Sequence, residues 1–567
     1  MKYTYGKVSL MKKILAVILV LCTLLSLAAC NSGGNQTGNG TPANITAWTM
    51  HSFEKTVVNA KPKGNSFSTD YTVYLSKGET EGCQIAVYSD KKIEDATLTK
   101  KSGNADNIEI SVYSMNRAHK IVNKYYTDSL IPYSGKPIDV EAKTVLPFMI
   151  EFKTNENTEA GEHKYVYELK DAKGKVLATY NITVHVWDFE LPKEKTFETA
   201  FGIGKNWISV GGVYLEANYA IWYDMLLEHN MCAYELPYDI LDPRADAYMS
   251  DPRVTSFMVP VPTVESEDVD GDHYIDTFVI DEEKLLEYCE KVKSNPVWLS
   301  KAYFYPYDEP HTESQLALLK DIERQLTKLC PEIEIMAPYY TNIQMGEGRD
   351  QTDEMAEYTD LWCPKLCLWD DERSYGDFLD YVPSKSFAER MADQQAKGDR
   401  MWAYVCNDPN EPYAQMFINT EGVNQRLMFW QVYQRDIEGF LYWSVNFYGY
   451  KGGNAFREDA TQQDPWDTVN TNVTDGEGRT IYGCGFLFYP GYKVRAGLAV
   501  PSIRAKIVRD GVDDIEMFYL AEKYLDKDWI VEKTKEGTPS LTEYVSGDKY
   551  AALRIEIGNA LEAAMKK

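Results

Sequence analysis

Two adjacent carboxylic acids, Asp308 and Glu309, close the aromatic stretch KAYFYPYDEPH at residues 301–311. Acids set side by side titrate as a coupled pair, one ionising while the other holds its proton to higher pH. A protonated acid beside a carboxylate is the pairing that glycosidic cleavage uses, one group donating to the leaving oxygen and the other stabilising positive charge. In two-carboxylate mechanisms the acid and the nucleophile flank the reacting carbon, about 5 Å apart or more. Consecutive residues fill that spacing poorly and suit a sugar that brings its own nucleophile. In a 2-acetamido sugar the amide oxygen attacks C1 and forms an oxazolinium. One carboxylate then grips the amide N–H while its neighbour protonates the leaving group. The plainer reading is a helix start, with Asp308 as N-cap and Pro310 in the first turn. It accounts for those two residues and leaves Glu309 without a role. On the dipeptide alone the two readings stand level.

The elements that must carry these acids follow from the pattern around them. Neighbouring residues of a strand face opposite sides, and Pro310 disfavours the α conformation at Glu309. The chain must therefore bend at 308–309 for both carboxylates to reach one mouth. Apolar strand candidates occur at 198–203, 231–238, 254–262, 301–309, 332–340, 360–370, 400–408 and 439–448. Most are separated by helical stretches such as 281–295, 312–330 and 424–436. Strands alternating with helices predict a (β/α)8 TIM-type barrel, with a long insertion after the last strand and a closing helix over 500–525.

Chemistry in such barrels sits at the C-terminal ends of the strands. Those ends here carry Tyr307, Asp308 and Glu309, then Tyr339 and Tyr340, then Trp369, Asp370 and Asp371, then Tyr404, and finally Trp443 and Asn446. Rings and carboxylates converging on one mouth suit a sugar, whose CH faces stack on aromatics while its hydroxyls need polar partners. The substrate-binding candidates are Tyr307, Tyr340, Trp369, Tyr404, Trp443 and Asn446, although any one ring serves equally well as barrel packing. The run LWDDE offers a competing chemistry, with Asp370 or Asp371 as nucleophile opposite Glu309 in a two-carboxylate retaining glycosidase. A reading from another class is a non-catalytic surface glycan-binding lipoprotein, in which the aromatics grip sugar and the acids cap a helix.

Upstream, residues 46–192 read as short alternating strands joined by polar turns, which predicts a β-sandwich domain. LPKEK at 191–195 reads as a linker, and 193–567 as the barrel with its C-terminal closing helices. Lys12 and Lys13 before an apolar run, then Leu27-Ala28-Ala29-Cys30, describe a secretory signal over 1–29. It resembles a bacterial lipobox, with Cys30 lipidated and 30–45 a flexible tether. The expectation is an exported bacterial lipoprotein, anchored at the cell surface and touching membrane only through its N-terminal lipid.

The chain holds 59 basic and 86 acidic side chains, a net charge of −27. Residues 1–29 contain four lysines and no acid, which leaves 55 basic against 86 acidic, or −31, after processing. That charge repels phosphates and excludes nucleic acid as a partner. Of ten cysteines, Cys22 lies in the signal and Cys30 at its end; the other eight are scattered singly, Cys232, Cys363, Cys367 and Cys406 within apolar runs, which favours buried thiols over a disulfide framework or a zinc site. Seven histidines argue against histidine-based metal catalysis. Asp268, Asp270, Asp272 and Asp276 resemble the start of a calcium loop, but Gly271 is misplaced and no bidentate Glu follows, so a solvated acidic hairpin is favoured. No cofactor is expected. RDGVDDIE at 509–516 reads as a structural ion-pair network, and Arg426 suits either such a network or a site.

The motifs YTDSLIPYSGKPIDV (126–140), YDEP (307–310), GFLYWSVNFY (439–448), GFLFYPG (485–491) and SIRAKIVRDGVDDIE (502–516) carry a resemblance to glycoside hydrolase family 123, bacterial β-N-acetylgalactosaminidases and related surface proteins. The resemblance runs from the sandwich to the closing helix. It implies a β-sandwich before a (β/α)8 barrel and retaining, substrate-assisted hydrolysis of β-linked N-acetylhexosamine, GalNAc preferred, from the non-reducing ends of oligosaccharide or glycolipid glycans. Carried across, Asp308 orients the acetamido group and Glu309 is the general acid, then the base. The chain departs from the family pattern at Ser129, where proline is favoured, and at Cys484, where an acid is common.

Overall fold

The computed structural model describes residues 44–64, 67–103, 107–208, 216–268, 275–339, 341–370, 379–451 and 461–567. The signal, Cys30 and nearly all of the tether lie outside the described residues, as do Tyr340, Asp371, Asp270 and Asp272.

The N-terminal region is β-rich, as its period-two pattern predicts. One sheet has the order Ile45–His51, Thr80–Ser89, Thr144–Thr154, Ile108–Ser114, Ile131–Pro132. The other has the order Asp70–Lys77, Val176–Glu190, Gly161–Lys170, Ile93–Ser102, Ile138–Val140. All pairings are antiparallel except that of Asp70–Lys77 with Val176–Glu190. Ile85, Val87, Phe148 and Ile150 from the first sheet and Val73, Leu75, Tyr167 and Ile182 from the second share one apolar core. Thr80–Ser89 and Thr144–Thr154 are buried along nearly their whole length. Their second face packs on the rest of the molecule: Met149 joins the large C-terminal core and Glu151 binds Lys506 and Arg509.

The C-terminal region is an α/β domain around a near-closed parallel sheet of seven strands. The order is Glu198–Phe201, Gly439–Tyr442, Arg400–Val405, Leu361–Pro364, Glu334–Tyr339, Ala302–Phe304, Phe257–Val259. The expectation of eight strands is corrected at 231–238. That segment pairs only through a bridge between Phe201 and Ala233, and Pro237 removes a ladder donor just beyond. Its backbone nevertheless lies between the two end strands, with Phe201 N donating to Cys232 O, Tyr234 N to Phe201 O and Met258 N to Tyr234 O. Ala200, Tyr303, Met336, Leu361, Cys363, Trp402, Tyr404 and Leu441 fill the interior, while their strand neighbours Phe304, Ala337, Trp362, Ala403 and Phe440 pack outward against the helices. Both faces are buried, as a parallel sheet requires.

Ile503–Glu522 is the expected closing helix, and Lys527–Gly537 and Gly547–Met565 follow it. It is buried along almost its entire length and joins the two regions by charge. Arg504 binds Asp128, Asp514 binds Arg426 and Arg554, and those arginines reach Glu81 and Glu79 of the first region. Arg426 is thus part of a structural network. The 191–195 segment is no free linker: Leu191 is buried, Lys195 binds Asp513, and the N–H groups of Thr196 and Phe197 donate to Glu516. The expectation of thiols throughout is also corrected. Cys289 and Cys330 form a disulfide, because the helices Glu282–Lys293 and Glu313–Leu329 bring their Cα atoms to 6.4 Å.

Candidate active site

A pocket of about 260 Å³ opens at the C-terminal ends of the sheet strands, lined among others by Tyr305, Asp308, Glu309, Tyr404 and Trp443. Strand parity explains most of the lining. Tyr303, Met336, Tyr404 and Leu441 point inward, so Tyr305, Pro338, Cys406 and Trp443, two residues on from each, reach the same mouth. Parity breaks after Pro306, and Tyr307 turns away into the outer core, where its hydroxyl donates to Ile275 O.

The adjacent acids then share the pocket through an unusual backbone. Glu309 has φ +44°, in the left-handed region that side chains rarely adopt. The conformation costs about 1–2 kcal/mol and turns Glu309 onto the same side as Asp308. Pro310 is held where its carbonyl accepts from Gln351 Nε2 at 3.0 Å, and the Glu309 carbonyl accepts from His311 Nδ1 at 3.1 Å. The helix does not begin at these acids. Thr312 is the N-cap of Glu313–Leu329, accepting from Gln315 N, so neither Asp308 nor Pro310 has the capping place that the plainer reading gave them.

Each carboxylate has a phenol of its own. Tyr305 Oη donates to Asp308 Oδ1 at 2.7 Å, and Tyr404 Oη donates to Glu309 Oε1. Asp308 meets solvent at the mouth yet is enclosed by protein on its other sides, and this loss of hydration raises its pKa against the Tyr305 bond. Glu309 is raised by burial first and by the Asp308 charge second, while Tyr404, Lys365 and His311 oppose the shift. Burial also holds both phenols protonated, so they act as standing donors. The pair can keep a proton on Glu309 beside an ionised Asp308.

Trp443 supplies an aromatic wall, its indole N–H facing the buried Cys484 thiol. The other candidates lie elsewhere. Trp369 packs edge-on against Phe387 with ring centres 5.3 Å apart. Asn446 is fully buried and pins Gly204, accepting from its N–H at 2.8 Å and donating to its carbonyl. Asp370 accepts from Tyr413 Oη at 2.5 Å and is not among the residues lining the pocket. Asp276 N donates to Glu267 O within a hairpin of Thr263–Glu267 and Thr277–Ile280; of the acids in the calcium candidate, only Asp268 and Asp276 are described. Sequence reasoning missed Tyr305, Pro338 and Leu441, which the period of two could have found. It also missed Val473, which the long insertion brings in without a local signal.

Residues 276–521 match the family model "Glycoside hydrolase 123, catalytic domain". No curated protein matches the chain by sequence. Among solved structures, a family 123 glycoside hydrolase from Clostridium perfringens, described for glycolipid glycan hydrolysis, superposes with a TM-score of 0.60 at 13% identity. The match covers 92% of this chain and 98% of that one. At that identity the likeness speaks for the fold. Bacteroides uniformis β-glucuronidase 2 reaches a TM-score of 0.27 at 12% identity, over 87% of this chain and 51% of its own, and no argument rests on it. Residues 276–521, with both paired acids among them, thus match the catalytic domain of glycoside hydrolase family 123, within a chain that has the fold of a family 123 enzyme.

Proposed function

We propose that the protein removes β-linked N-acetylhexosamine, galactosamine in preference, from the non-reducing ends of glycans by a retaining, substrate-assisted mechanism. The observation that carries this reading is the turning of two consecutive carboxylates into one pocket at the cost of a left-handed glutamate. Asp308 accepts the acetamido N–H and so directs the amide oxygen to C1. As the C1–O bond to the aglycone breaks, Glu309 gives its proton to the leaving oxygen, and the amide oxygen closes the oxazolinium. Water then attacks C1, its proton passing to Glu309, and the ring reopens with the original configuration restored. The preference for galactosamine rests on the family likeness.

Hydrolysis of a chromogenic β-N-acetylgalactosaminide, with its 2-hydroxy counterpart and glucosamine epimer alongside, tests the reading. Glu309→Gln is expected to lose about 10²–10⁴-fold in kcat on the acetamido sugar, and Asp308→Asn to lose comparably, with the 2-hydroxy sugar refused by every form. Cleavage of the 2-hydroxy sugar, abolished by Asp370→Asn or Asp371→Asn, would replace this mechanism with the two-carboxylate one.

We also propose, from the signal and the Leu27-Ala28-Ala29-Cys30 run, that the protein lies outside the cytoplasm, held through a lipid on Cys30. The Cys289–Cys330 disulfide supports it, since such bonds persist in oxidising compartments. Incorporation of labelled palmitate into the wild type and not into Cys30→Ser is the expected result.

A further inference from the structure

Two carboxylates that share one pocket face an ambiguity: a single proton can sit on either, and only one arrangement is productive. The surroundings of this pair are not symmetric. Asp308 takes a hydrogen bond from Tyr305, just past the strand Ala302–Phe304, and Glu309 takes one from Tyr404, within the strand Arg400–Val405. Tyr404 is almost wholly buried inside the barrel. Tyr305 is braced edge-on by Tyr234 at 5.9 Å between ring centres, and Tyr234 is itself tied to the Tyr442 carbonyl at 3.1 Å.

We infer that Tyr305 and Tyr404 are positioning residues that divide the proton between the two acids. On this inference, which rests on the function proposed above, Tyr305 keeps Asp308 ionised as the acceptor of the substrate's amide N–H. Tyr404 occupies Oε1 of Glu309, so Oε2 is the oxygen that delivers the proton to the leaving group and recovers one from water. No other bond changes are added: the proton leaves Oε2 as the aglycone departs and returns to it as water attacks.

The charged and titratable groups around the pair fit this division. Glu309 faces Asp308, Tyr404, Lys365 and His311, with Cys363 and Cys406 close enough to feel its charge. Lys365 Nζ lies 3.9 Å from Asp408 Oδ2, so its charge is partly answered elsewhere. Asp308 is felt by Tyr305, Tyr234, Tyr404 and Cys363. A phenol that donates to a carboxylate favours its charged form. Removing Tyr305 therefore makes Asp308 harder to ionise, and removing Tyr404 makes Glu309 hold its proton to higher pH.

The test is the pH profile of kcat/KM for the acetamido sugar in wild type, Tyr305→Phe and Tyr404→Phe, each checked for folding by thermal melting. Tyr305→Phe should move the acidic limb, where Asp308 must ionise, to higher pH and leave the alkaline limb in place. Tyr404→Phe should move the alkaline limb, where Glu309 must stay protonated, to higher pH, and lower kcat roughly tenfold through lost orientation. A second readout needs no turnover: the pH dependence of carbodiimide modification at Asp308 and Glu309, resolved by peptide mass spectrometry. It should move for Asp308 in Tyr305→Phe and for Glu309 in Tyr404→Phe. Limbs that move together, or carboxyl titrations that ignore both substitutions in folded protein, would overturn the division. A wild type inert toward acetamido sugars would sink the proposed function, and the carboxyl titrations would still decide whether each phenol governs its own acid.

Discussion

Arg504 and Asp128 meet where the β-rich region and the barrel join, both without solvent exposure, Nε donating to Oδ1 at 2.9 Å and Nη2 to Oδ2 at 2.8 Å. Tyr489 Oη adds a bond to Asp128 at 2.7 Å, and Arg504 also caps the carbonyls of Met416 and Gly483. Three of the motifs that carry the family resemblance, around Asp128, Tyr489 and Arg504, are thus one buried knot beneath the insertion that helps to wall the pocket.

Breaking that knot on one side should cost heavily. Arg504→Met or Asp128→Asn leaves a buried charge unanswered, a loss of about 3–5 kcal/mol, read as a drop in the denaturant midpoint. Burial would raise the Asp128 pKa, but Arg504 overrides it and holds the group below its ordinary value. Its contribution is therefore complete above the unfolded value of about 3.9 and is lost as pH falls through the lower folded value. The gap between wild type and Asp128→Asn should be widest at neutral pH and close under acid. A gap that stayed constant down to pH 2 would contradict this.

The two orders of motif were not equally legible. Strand and helix periods give the β-rich region, the parallel sheet and the closing helix, because burial on one or both faces writes directly into the pattern. The pocket is a different matter. Tyr404 and Trp443 stand at strand ends and obey parity, so they could be read. Tyr307, Trp369 and Asn446 share those addresses and fail, because the strands have already ended at Phe304, Pro364 and Tyr442, three to five residues before them, and a side chain's direction there depends on contacts such as Phe387 or Gly204. The disulfide escaped for a similar reason: Cys289, on one helix, and Cys330, the C-cap of the next, lie 41 residues apart, and only the packing of those helices brings them together.

That disulfide encloses the strand that leads to the paired acids. Its loop includes Ala302–Phe304 and both acids, so it constrains the unfolded segment that must reassemble around them. The closed loop corresponds to about 3–4 kcal/mol in the chain-entropy account. A Cys289→Ala, Cys330→Ala double variant should melt correspondingly lower, and reductant should lower the melting of wild type alone. Hydrolytic activity at 25 °C, measured in folded protein, should stay within a few-fold. Equal melting of the two proteins in the absence of reductant would show that the bond adds nothing.

Glu309 is destabilising where it stands, by conformation and by charge. Burial and the Asp308 charge raise its folded pKa above the unfolded value of about 4.3, so its ionisation opposes folding at neutral pH. Glu309→Gln should stabilise the protein by about 1 kcal/mol at pH 7, the usual exchange of stability for activity at a working site. The gain should shrink as pH falls through the raised value and vanish below about 4.3, where folded and unfolded chains are both protonated. Glu309→Gly should add the relief of the positive φ. Thermal melts of both variants from pH 4 to 8 provide the check; a loss of stability at pH 7 in both would mean the carboxylate is held by more than it strains.

Trp443 owes its place to a glycine. Gly485 has φ +79°, and a methyl group there would fall inside the van der Waals shell of the Trp443 indole. The same peptide is anchored by its N–H donating to Tyr442 Oη at 3.0 Å, so the backbone cannot easily retreat. Gly485→Ala therefore has to move the ring. If Trp443 is the stacking wall for the sugar, the displaced ring should raise KM roughly tenfold, about 1.4 kcal/mol of lost binding and within the range of a single aromatic contact, while kcat, which the proposed mechanism assigns to Asp308 and Glu309 in the same pocket, changes less. Trp443→Ala should reproduce the rise in KM without the backbone strain. A Gly485→Ala enzyme with unchanged KM, and a Trp443→Ala enzyme that merely melts lower, would return Trp443 to the barrel wall and leave the sugar held by its polar contacts.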